Sequence, residues 1–345
     1  MNFEKLYSKL PDFIKYNNFI LKTLLKVPKF ISKLTKKSQI EESQSQLFEL
    51  IFLNSNFEVT GTSRNIQLLY IELLKFVDNV CKKHGIDYWL TDGTLLGAVR
   101  HGGFIPWDDD IDLAMLREDY LKLIEVLPEE ISNFDYLKEN CGLSLLRENH
   151  ENYFKDFKSV YDFEGDEKLL DEAKFIFLQI AWLKPYVKID FFPKDFILED
   201  KLDYFKKNYR SNKYKFNQNL KNGVVSYEKS FNEINHLLGF TNQKTNFVCD
   251  AIDTLQLSDL CIYETNKIFP LETINFEGHQ FKCPNDFDYY LKQYFGNNYM
   301  RLPKIIETHN VSKFIQSQFQ SKTEMDEAFK KDIEYLKKVN DSFNL

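Results

Sequence analysis

One short segment concentrates the residues best suited to bind a metal ion. Four aspartates lie within five positions, at Asp108, Asp109, Asp110 and Asp112. Residues two apart in a strand project to the same face, so Asp110 and Asp112 point together while Ile111 and Leu113 face the core. Neighbouring carboxylates repel each other, and a divalent cation relieves that repulsion. The spacing therefore predicts a site for Mg²⁺ or Mn²⁺, which prefer hard oxygen ligands.

The turn before this segment contains groups that suit a phosphate. Asp92-Gly93-Thr94 lies at a predicted strand-to-helix junction, where the N–H groups of a helix N-terminus attract anions. We expect Gly93 and Thr94 to contact a phosphate and Arg100 to form a bidentate pair with a second phosphate oxygen. Trp107 is expected to anchor the intervening loop or to stack on a base or sugar.

A third carboxylate is expected from another strand. A glycine-containing turn followed by a strand with a D-x-D pair is the nucleotidyltransferase-type pattern, and that fold usually needs a further acid. Asp190 is the only acid in the β-prone run VKIDFF at 187–192. We expect it to share the metal or to act as a general base. The competing interpretation places Asp190 at a solvent-facing edge.

A solvated face and a calcium-binding loop both fit the acidic segment less well. A run of four acids is usually solvated, but Trp107 and Ile111 interrupt the polarity here. An EF-hand fails because Leu113 stands where glycine is required and Asp119 where glutamate is required. The chain contains no G-x-S-x-G, P-loop or G-x-G-x-x-G motif. His101 and His309 lie in no pattern that separates a phosphate contact from simple exposure.

Periodicity predicts the elements that position these residues. Helices are predicted at 62–83, at 95–100, at 117–127 with its end at Pro128, and within 313–339. Strands are predicted at 86–91, at 110–115 and at 187–192, the last ended by Pro193. The candidate site residues thus follow the first strand, lie on the second and lie on the third.

Composition narrows the class of protein. The 345 residues carry a net charge of −7, but residues 1–37 hold nine lysines against two acids, and the remainder holds 36 basic against 50 acidic residues. An acidic body argues against nucleic-acid binding, which needs a basic surface. The five cysteines form no C-x-x-C pair and predict buried, reduced thiols. With no apolar run of 18 residues and no signal-peptide pattern, a cytoplasmic protein is expected.

The lysine-rich N-terminus has its own pattern. Lysines form one stripe of a predicted helical segment within 13–34, and apolar residues lie roughly opposite. Such a helix either contacts an anionic membrane surface or packs on its own domain with the lysines outward. We predict three regions: a basic N-terminal segment and linker at 1–46, a catalytic core at 47–200, and a helical acceptor-side region with a C-terminal segment at 201–345.

Three blocks resemble a known family. The segment TDGTLLGAVRHGGFIPWDDDIDLAM at 91–115 is similar to the signature of the LicD family, the bacterial phosphocholine transferases related to the fukutin group. KIDFFPKD at 188–195 resembles that family's short strand with its following proline. The stretch 268–303 resembles its C-terminal segment, with an F-x-G and a P-x-D-x-x-x-Y-L pattern. Many members have a small residue where this chain has Asp92, which adds charge near the phosphate site.

The resemblance implies both a fold and a reaction. The fold would be α+β, a nucleotidyltransferase-like mixed sheet flanked by helices, with added helical segments at the N-terminus, middle and C-terminus. The reaction would move a substituted phosphate from a CDP-linked donor, CDP-choline in first place, to a hydroxyl of a glycan acceptor that is often lipid-linked. Asp110, Asp112 and Asp190 would hold the metal, with Asp108 nearby as a second-metal or supporting group.

Two other reactions and one non-catalytic role stay open. Transfer of a polyol phosphate such as ribitol or glycerol phosphate uses the same chemistry. A nucleotidyltransferase that moves NMP to a small molecule or protein needs the same acids, and release of pyrophosphate instead of CMP would identify it. A membrane-associated scaffold has no reason to keep three acids at metal-binding spacing.

Overall fold

The computed structural model describes residues 59–108, 110–144, 178–182, 187–221, 227–253, 261–302, 315–317 and 319–343. The chain divides into two compact units, Met1–Phe57 with Arg301–Ile306, and Glu58–Met300 with Glu307–Leu345. Every element below belongs to the second unit. The basic segment expected at 1–46 lies outside the described residues, and the predicted three-region division stays a prediction.

The described elements alternate helices and short strands. The helices are α1 (Thr62–His84), α2 (Asp92–His101), α3 (Arg117–Ser132), α4 (Asp135–Asn140), α5 (Leu202–Lys221), α6 (Tyr227–Leu238), α7 (Thr265–Ile268), α8 (Phe287–Phe295) and α9 (Lys322–Ser342). The strands are β1 (Trp89–Leu90), β2 (Ile111–Leu116), β3 (Cys141–Ser144), β4 (Leu178–Trp182), β5 (Val187–Ile197), β6 (Phe240–Thr241), β7 (Phe247–Asp250), β8 (Ile262–Glu264), β9 (Glu272–Phe276) and β10 (His279–Cys283).

The main sheet is mixed and is organised around β5. Its path runs β1-β2-β5-β4-β3, with β6 and β7 also paired to β5 and with β8 paired to β7. β2 and β5 run parallel, in a register that places Asp112 directly beside Asp190. The other pairings are antiparallel. This architecture confirms the α+β class and the mixed sheet, with the acids on adjacent strands.

Two helices build much of the larger core. α1 buries an apolar face that includes Leu69, Leu73 and Val77, and α9 packs along it with buried Phe329 and Leu336. Burial of a full-sized apolar side chain is worth about 1.5–3 kcal/mol. This packing therefore fixes a rigid platform beneath the strands that carry the acids.

A helical hairpin forms the insertion that follows β5. α5 and α6 enclose a second, smaller core that includes Phe205, Phe216 and Ile234. Ile197 at the end of β5 and Cys249 on β7 belong to the same cluster, so this insertion packs on the sheet. The helical additions expected in the middle and at the C-terminus are present as α5–α6 and α9.

Prolines do not end two elements where the sequence predicts that they should. α3 continues through Pro128 to Ser132, because Leu127 and Ile131 are both buried and offset the one helical hydrogen bond that proline cannot donate. β5 continues through Pro193. Pro193 falls between the last residue paired with β4 and the first paired with β7, where the missing N–H costs least.

The predicted boundaries of other elements need smaller corrections. The first strand contains only Trp89 and Leu90 rather than 86–91, because only these residues pair with β2. The described C-terminal helix begins at Lys322, after a cap in which the Ser321 hydroxyl accepts from the Glu324 N–H at 3.1 Å. A capping serine is a common helix start.

Candidate active site

Three carboxylates meet where β2 and β5 run side by side. Asp110, Asp112 and Asp190 each offer an oxygen, and these oxygens lie within 4.8 Å of one another. Asp112 is 9% exposed and Asp190 4% exposed. The structure thus brings together the three acids that the sequence assigned to one metal, although it does not test their roles. Asp109 lies outside the described residues.

Asp112 shows the electrostatic strain of this arrangement. Its pKa is raised well above the ordinary value, first by burial and then by repulsion from Asp110 and Asp92, with Asp190 and Asp108 adding smaller effects. A buried carboxylate with four acidic neighbours favours its neutral form unless positive charge is nearby. The arrangement of the acids therefore suits a divalent cation.

Lys188 supplies one positive charge that sequence reasoning missed. Its Nζ donates to Asp190 Oδ2, and only 7% of the lysine is exposed. The Lys188 backbone N–H donates to the Tyr70 hydroxyl of α1 at 3.0 Å, which ties this part of β5 to the helical platform. The sequence did contain a signal for this contact. Lys188 and Asp190 are two residues apart on a predicted strand, and such residues share a face.

The start of α2 lies against the acids. The Thr94 hydroxyl, predicted to contact a phosphate, accepts from the Asp112 N–H at 2.9 Å, and the Thr91 N–H donates to the Asp112 carbonyl at 3.2 Å. A Cβ added at Gly93 would lie 3.0 Å from Asp108 Oδ2. A side chain at position 93 would therefore crowd the Asp108 carboxylate, which lies beside the N-terminus of α2.

Asp92, which the sequence predicted only to add charge near the phosphate site, lies close enough to act on Asp112. Its backbone adopts a left-handed conformation with φ of 45°, which residues other than glycine rarely take. Its carboxylate hydrogen-bonds the Tyr294 hydroxyl of α8 and, after burial, raises the pKa of that tyrosine. The neighbouring Tyr290 hydroxyl lies 2.9 Å from Thr91 Oγ1, so α8 closes one side of the turn.

Arg100 and His101 at the end of α2 form a pair. Arg100 Nε donates to His101 Nε2 at 2.9 Å, and its Nη1 donates to the Tyr299 carbonyl at 3.3 Å. Burial lowers the pKa of Arg100 to about 10, with Asp108 acting in the opposite direction. Burial and the arginine lower the pKa of His101 to about 4. The histidine is therefore neutral near pH 7 and accepts from the arginine.

The loop after α2 is held from the β9–β10 hairpin. Glu277 Oε1 accepts from the Phe104 N–H at 3.1 Å, and Glu277 Oε2 pairs with Arg64 at 2.9 Å. The Glu277 N–H donates to the Gly102 carbonyl at 2.9 Å. Trp107, further along the loop, is partly buried and packs on the main core. That packing agrees with its expected anchoring role.

Comparisons with known proteins show similarity to one family. The model "LicD/FKTN/FKRP, nucleotidyltransferase domain" matches residues 85–209. The lipopolysaccharide cholinephosphotransferase LicD of Haemophilus influenzae is 29% identical over 265 residues, which cover 70% of this chain and 92% of that protein. The chain is therefore similar to LicD proteins, and its residues 85–209 match that family's nucleotidyltransferase domain. These similarities indicate an enzyme, a phosphotransferase of the LicD type.

Other LicD relatives match shorter segments. The human ribitol 5-phosphate transferase FKRP is 50% identical over 48 residues, 14% of this chain and 10% of FKRP. The human ribitol-5-phosphate transferase FKTN is 39% identical over 49 residues, 14% of this chain and 11% of FKTN. The resemblance stated from the sequence is therefore confirmed at the level of the family.

His309 and the lysine-rich N-terminus lie outside the described residues. In the ranges that the structure describes, no helix has both the length and the apolarity needed to cross a membrane.

Proposed function

We propose that this LicD family member transfers phosphocholine from CDP-choline to a hydroxyl of a cell-surface glycan and releases CMP. The observation that carries this proposal is the meeting of Asp110, just before β2, with Asp112 on β2 and Asp190 on the paired β5, with oxygens within 4.8 Å of one another. Their carboxylates supply hard oxygen ligands, which Mg²⁺ and Mn²⁺ prefer. When bound, such an ion neutralises charge on the donor's pyrophosphate.

The reaction requires an acceptor hydroxyl and a phosphate held in line. The hydroxyl oxygen bonds to the phosphorus that carries choline, the bond from that phosphorus to the bridging oxygen breaks, and the electron pair leaves with CMP. The hydroxyl proton goes to a base, for which Asp190 is one candidate, or Asp190 serves only as a metal ligand. Asp108 lies close enough to Gly93 to support the ligands or to contact a second ion.

The start of α2 would hold the donor's phosphates. Thr94 Oγ1 accepts from the Asp112 N–H, which leaves its own proton to donate to a phosphate oxygen. Arg100 sits at the other end of the same helix, and with a pKa of about 10 it stays charged near neutral pH. Trp107 completes the donor side as an anchor of the loop or as a stacking surface.

Phosphocholine is preferred to a polyol phosphate because of the extent of the similarity. The match to the Haemophilus cholinephosphotransferase covers 92% of that protein, whereas the match to FKRP covers 48 residues, 10% of that protein. The acids themselves do not separate phosphocholine transfer from ribitol-phosphate transfer or from NMP transfer.

The deciding experiment offers several donors to the full-length protein. CDP-choline, CDP-ribitol and CDP-glycerol are each incubated with Mg²⁺ and a cell-surface glycan preparation, and CMP release and product mass are measured with and without EDTA. We expect CMP release to be fastest with CDP-choline and to stop in EDTA. Pyrophosphate release from CTP without CMP release from any CDP donor would reject the proposal in favour of NMP transfer.

A further inference from the structure

A cavity lies at the other end of α8 from the acidic cluster. It has a volume of about 310 Å³ and opens to solvent between α7 and the start of α8. Its lining residues are Asn266, Lys267, Asn285, Asp286, Phe287 and Asp288. The volume is at the lower end of the range for small-molecule sites, and none of these residues was assigned to the donor site.

The chemistry of the lining suits a ligand with many hydroxyl groups. The side chains of Asn266 and Asn285 carry both donors and acceptors, although Asn285 Nδ2 also donates to the Asn266 carbonyl at 3.4 Å. The carboxylates of Asp286 and Asp288 already accept hydrogen bonds within the protein, and their remaining lone pairs can accept from a ligand. A sugar hydroxyl is itself both a donor and an acceptor, so it matches such a mixed set. The Phe287 ring is 36% exposed and provides an apolar face on which the C–H side of a sugar ring can lie.

The walls of this groove are held in place without a ligand. The Asn285 N–H donates to the Ile268 carbonyl at 3.0 Å, and the Asp286 N–H donates to the Lys267 carbonyl at 2.8 Å. Asp286 caps α8 by accepting from the Tyr289 N–H at 2.9 Å and also pairs with Lys267 Nζ at 2.9 Å. A preformed site loses less entropy on binding.

The groove is linked to the candidate active site through α8. Asp288 accepts from the Tyr299 hydroxyl at 2.8 Å, and the Tyr299 carbonyl accepts from Arg100. On the same helix, Tyr294 contacts Asp92. Phe287 and Tyr294 are seven residues apart, which is about 10 Å at the rise of an α-helix. A chain of sugars could reach both places at once, whereas a single small molecule could not.

The charge of the groove favours the acceptor over the donor as its ligand. Two carboxylates and one ammonium line the groove, so an anionic pyrophosphate is disfavoured there. The choline of the donor is bonded to the reacting phosphate and must stay near the acids of β2 and β5. We propose that the groove binds a sugar of the acceptor glycan other than the sugar that receives the phosphate. This inference rests on the proposed function, because only a glycan acceptor needs such a subsite.

The test measures saccharide binding directly. Full-length protein is titrated with the methyl glycosides of galactose, glucose and N-acetylglucosamine, and binding is followed by saturation-transfer NMR. We expect at least one saccharide to bind, and Phe287→Ala to weaken it about tenfold through loss of the ring face. Phe295→Ala is the matched control, because Phe295 is a 41% exposed aromatic on the same helix outside the groove lining. Melting temperatures of both variants verify folding.

Each result supports or overturns the inference. Binding that Phe287→Ala weakens and Phe295→Ala preserves supports it. Absence of binding by all the saccharides, equal binding by the two variants, or displacement of the saccharide by CMP or choline overturns it. CMP release from CDP donors by the unaltered protein is measured separately. Saccharide binding at Phe287 without any CMP release would leave a sugar site standing while rejecting the proposed transfer reaction.

Discussion

At the scale of single residues, the site is a balance between buried acids and the positive charge available to them. Asp92, Asp108, Asp110 and Asp190 all act on the carboxyl of Asp112. Among the positive groups near them, Lys188 donates to Asp190, and Lys194 interacts electrostatically with Asp92. The remaining negative charge of these acids explains why a bound divalent ion would stabilise the site and make it catalytically active.

Removing either acid of the β2 pair should abolish most turnover. Asp110→Asn and Asp112→Asn are each expected to lower kcat by about 10³-fold, because the charge that holds the metal against the transferring phosphate is lost. The measurement is CMP release at saturating donor. Asp200→Asn, at an exposed position, serves as the control and should keep its turnover. Near-normal activity in the β2 variants would contradict the metal assignment.

The raised pKa of Asp112 predicts how stability depends on pH without metal. Burial and its acidic neighbours penalise the ionised carboxyl in the folded state, so its favourable contribution is complete below the unfolded value of about 4 and is lost as the pH rises. In EDTA, Asp112→Asn should therefore melt higher than the unaltered protein at pH 8. The melting temperatures of the two proteins should converge near pH 4. A difference that does not change with pH would show that Asp112 is not under this strain.

Lys188 should contribute most to the stability of the fold when no metal is bound. Lys188→Met removes one partner of a buried ion pair, which costs about 3–5 kcal/mol, and Lys188→Arg keeps the charge. We expect urea unfolding in EDTA to show a large loss for the methionine variant and a small one for the arginine variant. Mg²⁺ should narrow the gap, because it supplies positive charge to Asp190. An equal loss with and without Mg²⁺ would indicate that Lys188 and the ion do not share this acid.

At the scale of elements, the β9–β10 hairpin positions the loop that precedes β2. Glu277 joins three parts that are distant in the chain, since it contacts Phe104 of the loop, Arg64 of α1 and, through its own backbone, Gly102. A Cβ added at Gly97 would lie 2.5 Å from the Gly103 carbonyl oxygen, so the loop also packs closely on α2. The acids are therefore delivered by a loop that is fixed on two sides.

Loosening this loop should weaken donor binding more than it weakens the fold. Glu277→Ala removes the acceptor of the Phe104 N–H and the partner of Arg64, whereas Glu277→Gln keeps an acceptor oxygen. We expect the alanine variant to raise the KM for the CDP donor and the glutamine variant to raise it less. Steady-state kinetics at several donor concentrations measure this. A fall in melting temperature without any change in KM would reduce Glu277 to a structural role.

At the scale of the whole molecule, the role of the basic N-terminal segment stays a prediction. The nine lysines within residues 1–37 lie outside the described residues, and the acidic remainder includes the predicted catalytic core. Each lysine near an anionic membrane surface contributes about 1 kcal/mol, and salt screens this attraction. A lipid-linked glycan acceptor would be concentrated at the same surface. Membrane binding by the basic segment would therefore bring the protein close to its acceptor.

Vesicle binding should follow this segment. Full-length protein is expected to sediment with vesicles that contain anionic phosphatidylserine or phosphatidylglycerol at low salt and to be released at high salt. A protein that begins near Ser45 should not sediment, yet should still release CMP from a CDP donor. If the shortened protein melts much earlier and vesicle binding is absent in both, the basic helix packs on its own chain and the membrane hypothesis is wrong.

Local physics accounts for what the sequence determined. The alternation of Asp110 and Asp112 with apolar neighbours identified an acidic pair at the start of a strand, and the apolar spacing after Thr62 identified α1 almost to its last residue. Those features depend only on the periods of strands and helices. Asp190 could be named as the third acid because it is the single carboxylate in its apolar run.

Only the tertiary structure decided which distant groups meet the acids. The register of β2 on β5 places Asp190 opposite Asp112, the path of α8 brings Tyr294 to Asp92, and the β9–β10 hairpin brings Glu277 to the loop. Pro128 and Pro193 also lie inside elements that local rules would end. These outcomes depend on pairing and burial between segments far apart in the chain. Local periodicity sets the face on which a residue lies, but the packing of other elements sets what lies against that face.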